Sequence, residues 1–142
     1  MVRAIFAGLI ATAVISALIY ANERMGFVPG VSLPADIAAF NARIGLPATL
    51  QAVWVTHALL GSVIYGIVYA LLEPILPGRG GVAGLWFGVV TWLAMMVSFM
   101  PLAGHQIFAQ DIGLAFAAIA LGIHLLYGLI LGTSYTALQG SN

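Results

Sequence analysis

The chain has 142 residues, of which 63% are hydrophobic and only 6% are charged. A domain of this size has too much surface for its volume to hide that much apolar area from water, so the composition excludes an ordinary soluble protein. The net charge of zero argues against a nucleic-acid-binding surface, and the lack of cysteine excludes disulfides, thiolate metal sites and cysteine nucleophiles.

The few charged residues separate four long uncharged runs. Each run is long enough to cross the hydrocarbon core of a bilayer, which takes about 20 apolar residues. Lipid offers no partner to backbone N–H and C=O groups, so each span must be helical. The first run is too long for a signal-peptide core and is predicted to be retained. We predict a single all-α integral membrane domain over residues 1–142, a four-helix bundle with spans at about 3–22, 50–72, 81–100 and 112–138.

The stretch SLPADIAAFNARIG (32–45) predicts a short amphipathic helix at about 33–44, between spans one and two. Ser32 is suited to cap it, Pro34 fits its first turn, and Gly45 ends it. One face carries Ile37, Phe40 and Ile44. The helix therefore either lies at the membrane interface or packs over the end of the bundle.

Proline and glycine shape the connections between the spans. Pro29 and Pro34 break up the first connection, and Pro74, Pro77 and Gly78 make the second a tight turn. The third span is predicted to end at Pro101 and Gly104. Asp111 precedes the fourth span and is predicted to be its N-cap.

The two halves of the chain resemble each other in four places, in the same order. AGLIATAV (7–14) resembles FGVVTWLA (87–94), and FVP (27–29) resembles FMP (99–101). DIAAF (36–40) resembles DIGLAF (111–116), and His57-x-x-x-Gly61 matches His124-x-x-x-Gly128. The pattern predicts two tandem two-helix repeats related by an axis along the membrane normal.

Small residues recur at four-residue spacing on three of the spans, which permits close helix contact where lipid gives no hydrophobic driving force. We expect these stripes to pack inside the bundle, with contact in a homo-oligomer as the alternative. The stripes comprise Ala4, Gly8, Thr12 and Ser16 on span one, Gly80, Gly84 and Gly88 at span three, and His124, Gly128 and Gly132 on span four.

An even number of spans places both termini on one side of the membrane. Because the first helix has the most influence on orientation, we predict cytoplasmic termini.

Two histidines lie in similar apolar surroundings, His57 in WVTHALLG and His124 in LGIHLLYG. An unpaired polar ring is costly to bury in a membrane, so each indicates a partner or a function. One hypothesis is a b-type haem held between the two imidazoles, with Gly61 and Gly128 leaving room for the macrocycle. The commoner alternative is a hydrogen bond to a neighbouring helix.

Two other readings of the histidines stay open at this stage. A proton relay through His57, His124 and Asp111 requires a water path. A metal site on His57, His105 and His124 has suitable ligand types, but His105 falls in a loop and no paired metal-ligand spacing is present. Hydrolase and transferase motifs are also missing, so we expect a non-enzymatic protein without a resident metal.

The segments GLIATAVISALIY, MGFVP, WVTHALLGSVIYGIVYALL, MPLAG and HLLYGLILG together resemble a family of small, uncharacterised bacterial inner-membrane proteins with four helices. The resemblance implies a multi-pass protein of the bacterial inner membrane and carries over no catalytic residues. We predict a small accessory subunit or binding module that packs against a partner protein, a lipid or a pigment. The alternatives are a bis-histidine haem protein of membrane electron transfer and a small oligomeric transporter or channel.

Overall fold

The computed structural model describes residues 1–27 and 32–140. This part of the chain forms five helices and no strand, which confirms the predicted all-α bundle. The predicted break at Pro29 lies outside these residues. The helices are α1 (Val2–Met25), α2 (Leu33–Arg43), α3 (Leu50–Ile75), α4 (Gly81–Ala103) and α5 (Leu114–Gly140).

The four long helices α1, α3, α4 and α5 are long and apolar enough to cross a membrane, as predicted. Their bounds agree with the predicted spans to within three residues. Span two continues to Ile75 because Pro74 lies in a final 3₁₀ turn instead of ending the helix. Large apolar side chains point outward on all four helices, which suits a surface in contact with lipid.

Helices α1 and α3 form one closely packed pair. A Cβ on Gly8 would lie 2.6 Å from the carbonyl oxygen of Ser62, and one on Gly66 would lie 2.6 Å from that of Ala4. No side chain fits in either gap, so the two backbones touch directly, as small residues allow in membranes.

Helices α4 and α5 form the second pair in the same way. Gly84 faces the backbone of Gly128, Gly88 faces that of His124, and Gly132 faces that of Gly80. The predicted small-residue stripes therefore pack inside the chain. The two pairs correspond to the two predicted repeat units, although the duplication itself stays a prediction.

The two pairs meet along α1 and α5, where the Tyr127 hydroxyl donates a hydrogen bond to the carbonyl oxygen of Gly61. A cluster of buried residues fills this junction. Its largest members are Tyr69, Phe87, Tyr127 and Leu131.

Helix α2 begins where the sequence predicts, because the Ser32 hydroxyl accepts a hydrogen bond from the Ala35 N–H and Pro34 occupies the first turn. Its apolar face covers the end of the bundle. Ile37 is buried, and the Phe40 ring lies 5.0 Å from that of Phe99 on α4. Packing over the bundle was one of the two predicted positions, and its depth relative to lipid stays a prediction.

Candidate functional site

A cavity of about 340 Å³ lies inside the bundle, beneath α2. On α1 it extends from Thr12 to Glu23, twelve residues or about 16 Å of helix. Apolar and aromatic side chains form most of its wall. They include Ile15, Ile19, Leu60, Tyr65, Met95, Phe99, Phe116, Ile123 and Tyr127.

His57 and His124 both line this one cavity, although 66 residues separate them along the chain. The buried Nε2 atom of His57 finds no hydrogen-bond partner within residues 1–27 and 32–140. The nearest ring is that of Trp54, which meets the imidazole edge-on with centroids 5.9 Å apart. Buried polar atoms in proteins are nearly always hydrogen-bonded, so the His57 nitrogen is an exception, a polar atom beside the cavity without a partner among the described residues.

The ring of His124 is fixed by its own helix. Its Nδ1 lies 2.8 Å from the carbonyl oxygen of Ala120. A carbonyl can only accept, so Nδ1 carries the hydrogen and Nε2 keeps the lone pair. The side chain therefore presents an acceptor nitrogen, which is the form of imidazole that binds a metal or accepts a hydrogen bond.

The two glycines of the histidine motifs have different surroundings. Gly61 lines the cavity and lies against the side chain of Thr12. Gly128 is not part of the wall; it packs on the backbone of Gly84 between α4 and α5. Of the four predicted site residues, the structure therefore brings His57, Gly61 and His124 to one cavity.

Two π-helical segments interrupt the long helices beside the cavity. One covers Leu59–Ile64 in α3, and the other covers Met95–Phe99 in α4. Both contribute residues to the wall. Single π turns inside α-helices occur often at functional sites, because the wider turn redirects side chains.

A second polar cluster lies at the α2 end of the cavity and joins three ionisable side chains. Nδ1 of His105 is 2.6 Å from a carboxylate oxygen of Asp111, and Nε2 of the same ring is 3.2 Å from one of Asp36. The other Asp111 oxygen accepts a hydrogen bond from the Gln106 N–H at 2.8 Å. Asp36 also lines the cavity, so the cluster reaches from its wall to the exposed surface.

The predicted N-cap role of Asp111 is wrong. Helix α5 begins at Leu114, and the Asp111 carboxylate turns towards His105 and the Gln106 N–H instead. The reason is that an imidazole and a backbone donor of the preceding loop lie within reach of it.

The cluster shifts the acidity of its members in opposite directions. The hydrogen bond to Asp111 raises the pKa of His105, with Asp36 adding to the effect and burial opposing it. Hydrogen bonds from His105 and from the Gln106 N–H lower the pKa of Asp111. Burial raises the pKa of Asp36, and its contact with His105 acts against that rise. The histidine therefore carries its charge to a higher pH than a free imidazole does.

The cavity wall is acidic where it approaches the surface. Glu23 and Asp36 line it, and its described lining includes no arginine or lysine. The arginines nearest in sequence have other partners: Arg24 donates to the Tyr20 hydroxyl, and Arg43 donates to the carbonyl oxygen of Pro101.

No group of three or more histidine or carboxylate side chains able to hold a metal ion occurs within the described ranges. His105, one of three residues in the metal hypothesis, forms ion pairs with Asp36 and Asp111 and is not part of the cavity wall.

Sequence reasoning missed the cluster of Asp36, His105 and Asp111 as a site. The signal was present in the repeat, since DIAAF and DIGLAF place Asp36 and Asp111 at matching positions. Their connections also fall on the same side of four predicted spans. Two matching residues of a repeat lie close together when both are near the axis that relates the repeat units. In the structure, His105 contacts both Asp36 and Asp111 and so connects them.

Four apolar helices packed as two pairs, with an apolar cavity between them, define a multi-pass integral membrane protein. Its sequence matches one family model from residue 1 to residue 142. The chain belongs to this family, DUF6789, a family of unknown function, which confirms the predicted membership of an uncharacterised family. Searches of curated proteins and of solved structures each found no match.

Proposed function

We propose that the protein is a non-enzymatic binding module that holds a small, mostly apolar molecule, such as a lipid or a pigment, in the cavity between its helices. The observation that carries this proposal is that His57 and His124 line one apolar cavity, and that the buried His57 Nε2 has no hydrogen-bond partner among the residues that the structure describes. The volume of about 340 Å³ lies within the usual range of small-molecule sites.

The lining supports an amphipathic occupant. Aromatic and aliphatic side chains favour an apolar body, while a few polar atoms fix its orientation, as in most ligand pockets. His124 offers an acceptor nitrogen, and His57 offers an unpartnered one. A molecule with one or two hydrogen-bonding groups on an apolar frame would satisfy both.

The cellular setting is part of the proposal. We place the protein in the bacterial inner membrane as an accessory subunit with both termini in the cytoplasm, and its four helices able to cross a membrane support the membrane setting. Contact with a partner protein or a second copy would use the exposed apolar faces of the spans.

Haem is the second candidate, and the tautomer of His124 favours it. A histidine that binds a metal through Nε2 usually donates its Nδ1–H to a backbone carbonyl or a similar acceptor. The His124 ring has this arrangement, with Nδ1 at the Ala120 carbonyl oxygen. The far end of the cavity fits haem less well. Haem propionates are anionic, and here they would meet Glu23 and Asp36 without an arginine in the described wall. A neutral occupant therefore fits the wall better.

Co-purification tests the main proposal. The protein is purified from its native membrane in mild detergent, and native mass spectrometry with solvent extraction identifies bound molecules. We expect one molecule per chain in the parent and its loss from Ile123→Trp, which fills the cavity. The matched control is Leu126→Trp, on the outer face of the same helix, which should retain it. Folded parent protein without a bound molecule, or equal retention in both variants, would overturn the proposal.

A visible absorption spectrum of the same samples tests haem. A Soret band in the parent that disappears in His57→Ala and His124→Ala supports the haem hypothesis. If the purified parent protein is colourless but carries a bound molecule, the haem hypothesis is excluded and the proposal of a binding module stands.

A further inference from the structure

Helix α2 forms part of the cavity wall through Leu33, Asp36 and Ile37. Ile37 is only 3% exposed, because it lies on the face of α2 that packs against the bundle. If α2 moved away from the bundle, these wall residues would meet water. The position of α2 therefore determines how far the cavity is covered at this end.

Side-chain contacts hold α2 against the end of α4 and the loop that follows it. Asp36 pairs with His105, Arg43 donates to the Pro101 carbonyl oxygen at 3.0 Å, and Phe40 packs on Phe99. The ion pair is the one contact among these three that protonation changes within the ordinary pH range.

We propose that Asp36, His105 and Asp111 form a proton-operated latch that holds α2 closed over the cavity and releases it when His105 loses its charge. The role of the latch in admitting a ligand rests on the proposed function. The movement of α2 itself does not, since it depends on the contacts between α2 and the rest of the chain and not on a bound ligand.

The electrostatic argument follows from the groups that face the ring. Asp36 approaches from α2 and Asp111 from the α4–α5 connection. On the elements around them, Arg43 is held by Pro101, while Glu23 lines the same end of the cavity on α1. A charged His105 thus bridges two carboxylates, whereas a neutral ring leaves them repelling each other in a partly buried site.

The sign of the effect is fixed by the directions of the pKa shifts. The pKa of His105 is raised above its usual 6.5, so the latch stays intact to a higher pH than a free imidazole would allow and opens as pH rises through that higher pKa. The pKa of Asp36 is raised above its usual 3.8, so the contact between Asp36 and His105 also weakens as pH falls through that raised pKa. The closed state is favoured between these two limits.

The lack of native cysteine provides a direct test. Ile37→Cys places one thiol in the covered wall, and Ala39→Cys places one on the exposed side of α2. Each protein is placed in lipid nanodiscs and labelled with a water-soluble maleimide from about pH 5.5 to about pH 9, which brackets the usual histidine pKa. The exposed thiol gives the pH dependence of an uncovered cysteine, and the same pair of thiols measured with His105→Gln gives the pH dependence that remains without the ion pair. Leu33→Cys, also in the wall, repeats the measurement if Ile37→Cys fails to fold.

We expect the ratio of covered to exposed labelling to rise several-fold as pH increases past the His105 pKa. Adding His105→Gln should leave the ratio high at every pH, while Gln110→Ala in the same connection should leave the parent profile unchanged. A flat profile in the parent, or the parent profile in His105→Gln, refutes the latch. Labelling needs no bound ligand, so this failure is distinguishable from failure of the binding proposal, which the co-purification experiment measures.

Discussion

The closest contact between α4 and α5 predicts a large effect from the smallest possible side chain. In Gly128→Ala, the new Cβ would fall on the carbonyl group of Gly84, 2.9 Å from its carbon, and 3.0 Å from the backbone nitrogen of Gly88. These are backbone atoms, so no side-chain rotation can relieve the overlap. The two helices must separate to admit one methyl group.

The size of the effect follows from this geometry. Carbon atoms pack best at about 3.5–4.0 Å, so the helices must part by close to 1 Å and lose contact along their shared face. Overpacking a tight site costs about 1–3 kcal/mol, and a rigid backbone places Gly128→Ala in the upper part of that range, at about 2–3 kcal/mol. The ratio of folded to unfolded protein should then fall about 30- to 140-fold.

Two other glycines on the chain provide controls. Gly122 lies on α5, and apart from its own helix no described residue has an atom within 4 Å of its position for a Cβ. Gly122→Ala should therefore leave stability unchanged or raise it by up to about 1 kcal/mol. Gly61→Ala would meet the Thr12 side chain, which can rotate, so its cost should lie between the other two.

Reversible unfolding in mixed micelles, followed by tryptophan fluorescence while the fraction of a denaturing detergent increases, gives the three free energies. Gly128→Ala within about 0.5 kcal/mol of the parent, the usual range for surface substitutions, would show that the helices are not held at backbone contact. An equal loss in Gly122→Ala would show that the measured effect has nothing to do with the facing helix.

Three more predictions concern hydrogen bonds and charge. Tyr127→Phe removes the bond to the Gly61 carbonyl oxygen and should cost about 1–3 kcal/mol, because a buried acceptor loses its donor; the same unfolding titration checks this, and no loss would contradict it. Trp92→Phe removes the indole donor 3.0 Å from the Ala117 carbonyl oxygen and should cost about 1 kcal/mol, with a fully stable variant as the contrary result. The free energy of unfolding should fall as pH rises through the raised pKa of His105, because the unfolded chain loses that proton at a lower pH; His105→Gln should flatten this limb, and an unchanged profile would exclude His105 as its source.

The hydropathy pattern, together with the proline, glycine and N-cap residues, was enough to predict the four spans and the amphipathic helix. Long uncharged runs have one solution in lipid, and Ser32 and Pro34 specify a helix start by local chemistry. From the repeat of the histidine motif we predicted that His57 and His124 could face each other across the bundle, and in the structure both line one cavity. A shared role for them stays a prediction.

Other parts of the site depend on information that the sequence pattern does not carry. The π-helical segments have no distinctive composition, so Leu59–Ile64 reads as ordinary helix. Gly128 follows His124 by one turn just as Gly61 follows His57, yet only Gly61 lines the cavity. The difference arises because Gly128 is taken up by the contact with Gly84, a three-dimensional packing choice.

The π turn in α3 also sets the phase of the helix beyond it. Gly61 and Gly66 both face α1, although a regular α-helix would turn residues five positions apart about 140° away from each other. The wider turn between them brings both to the same side. Deleting one residue from Leu59–Ile64 would rotate everything downstream by about 100°, swinging buried Tyr69 away from Gly80 and its partners towards lipid. The extra residue of the π turn therefore determines which side of the second half of α3 faces the bundle.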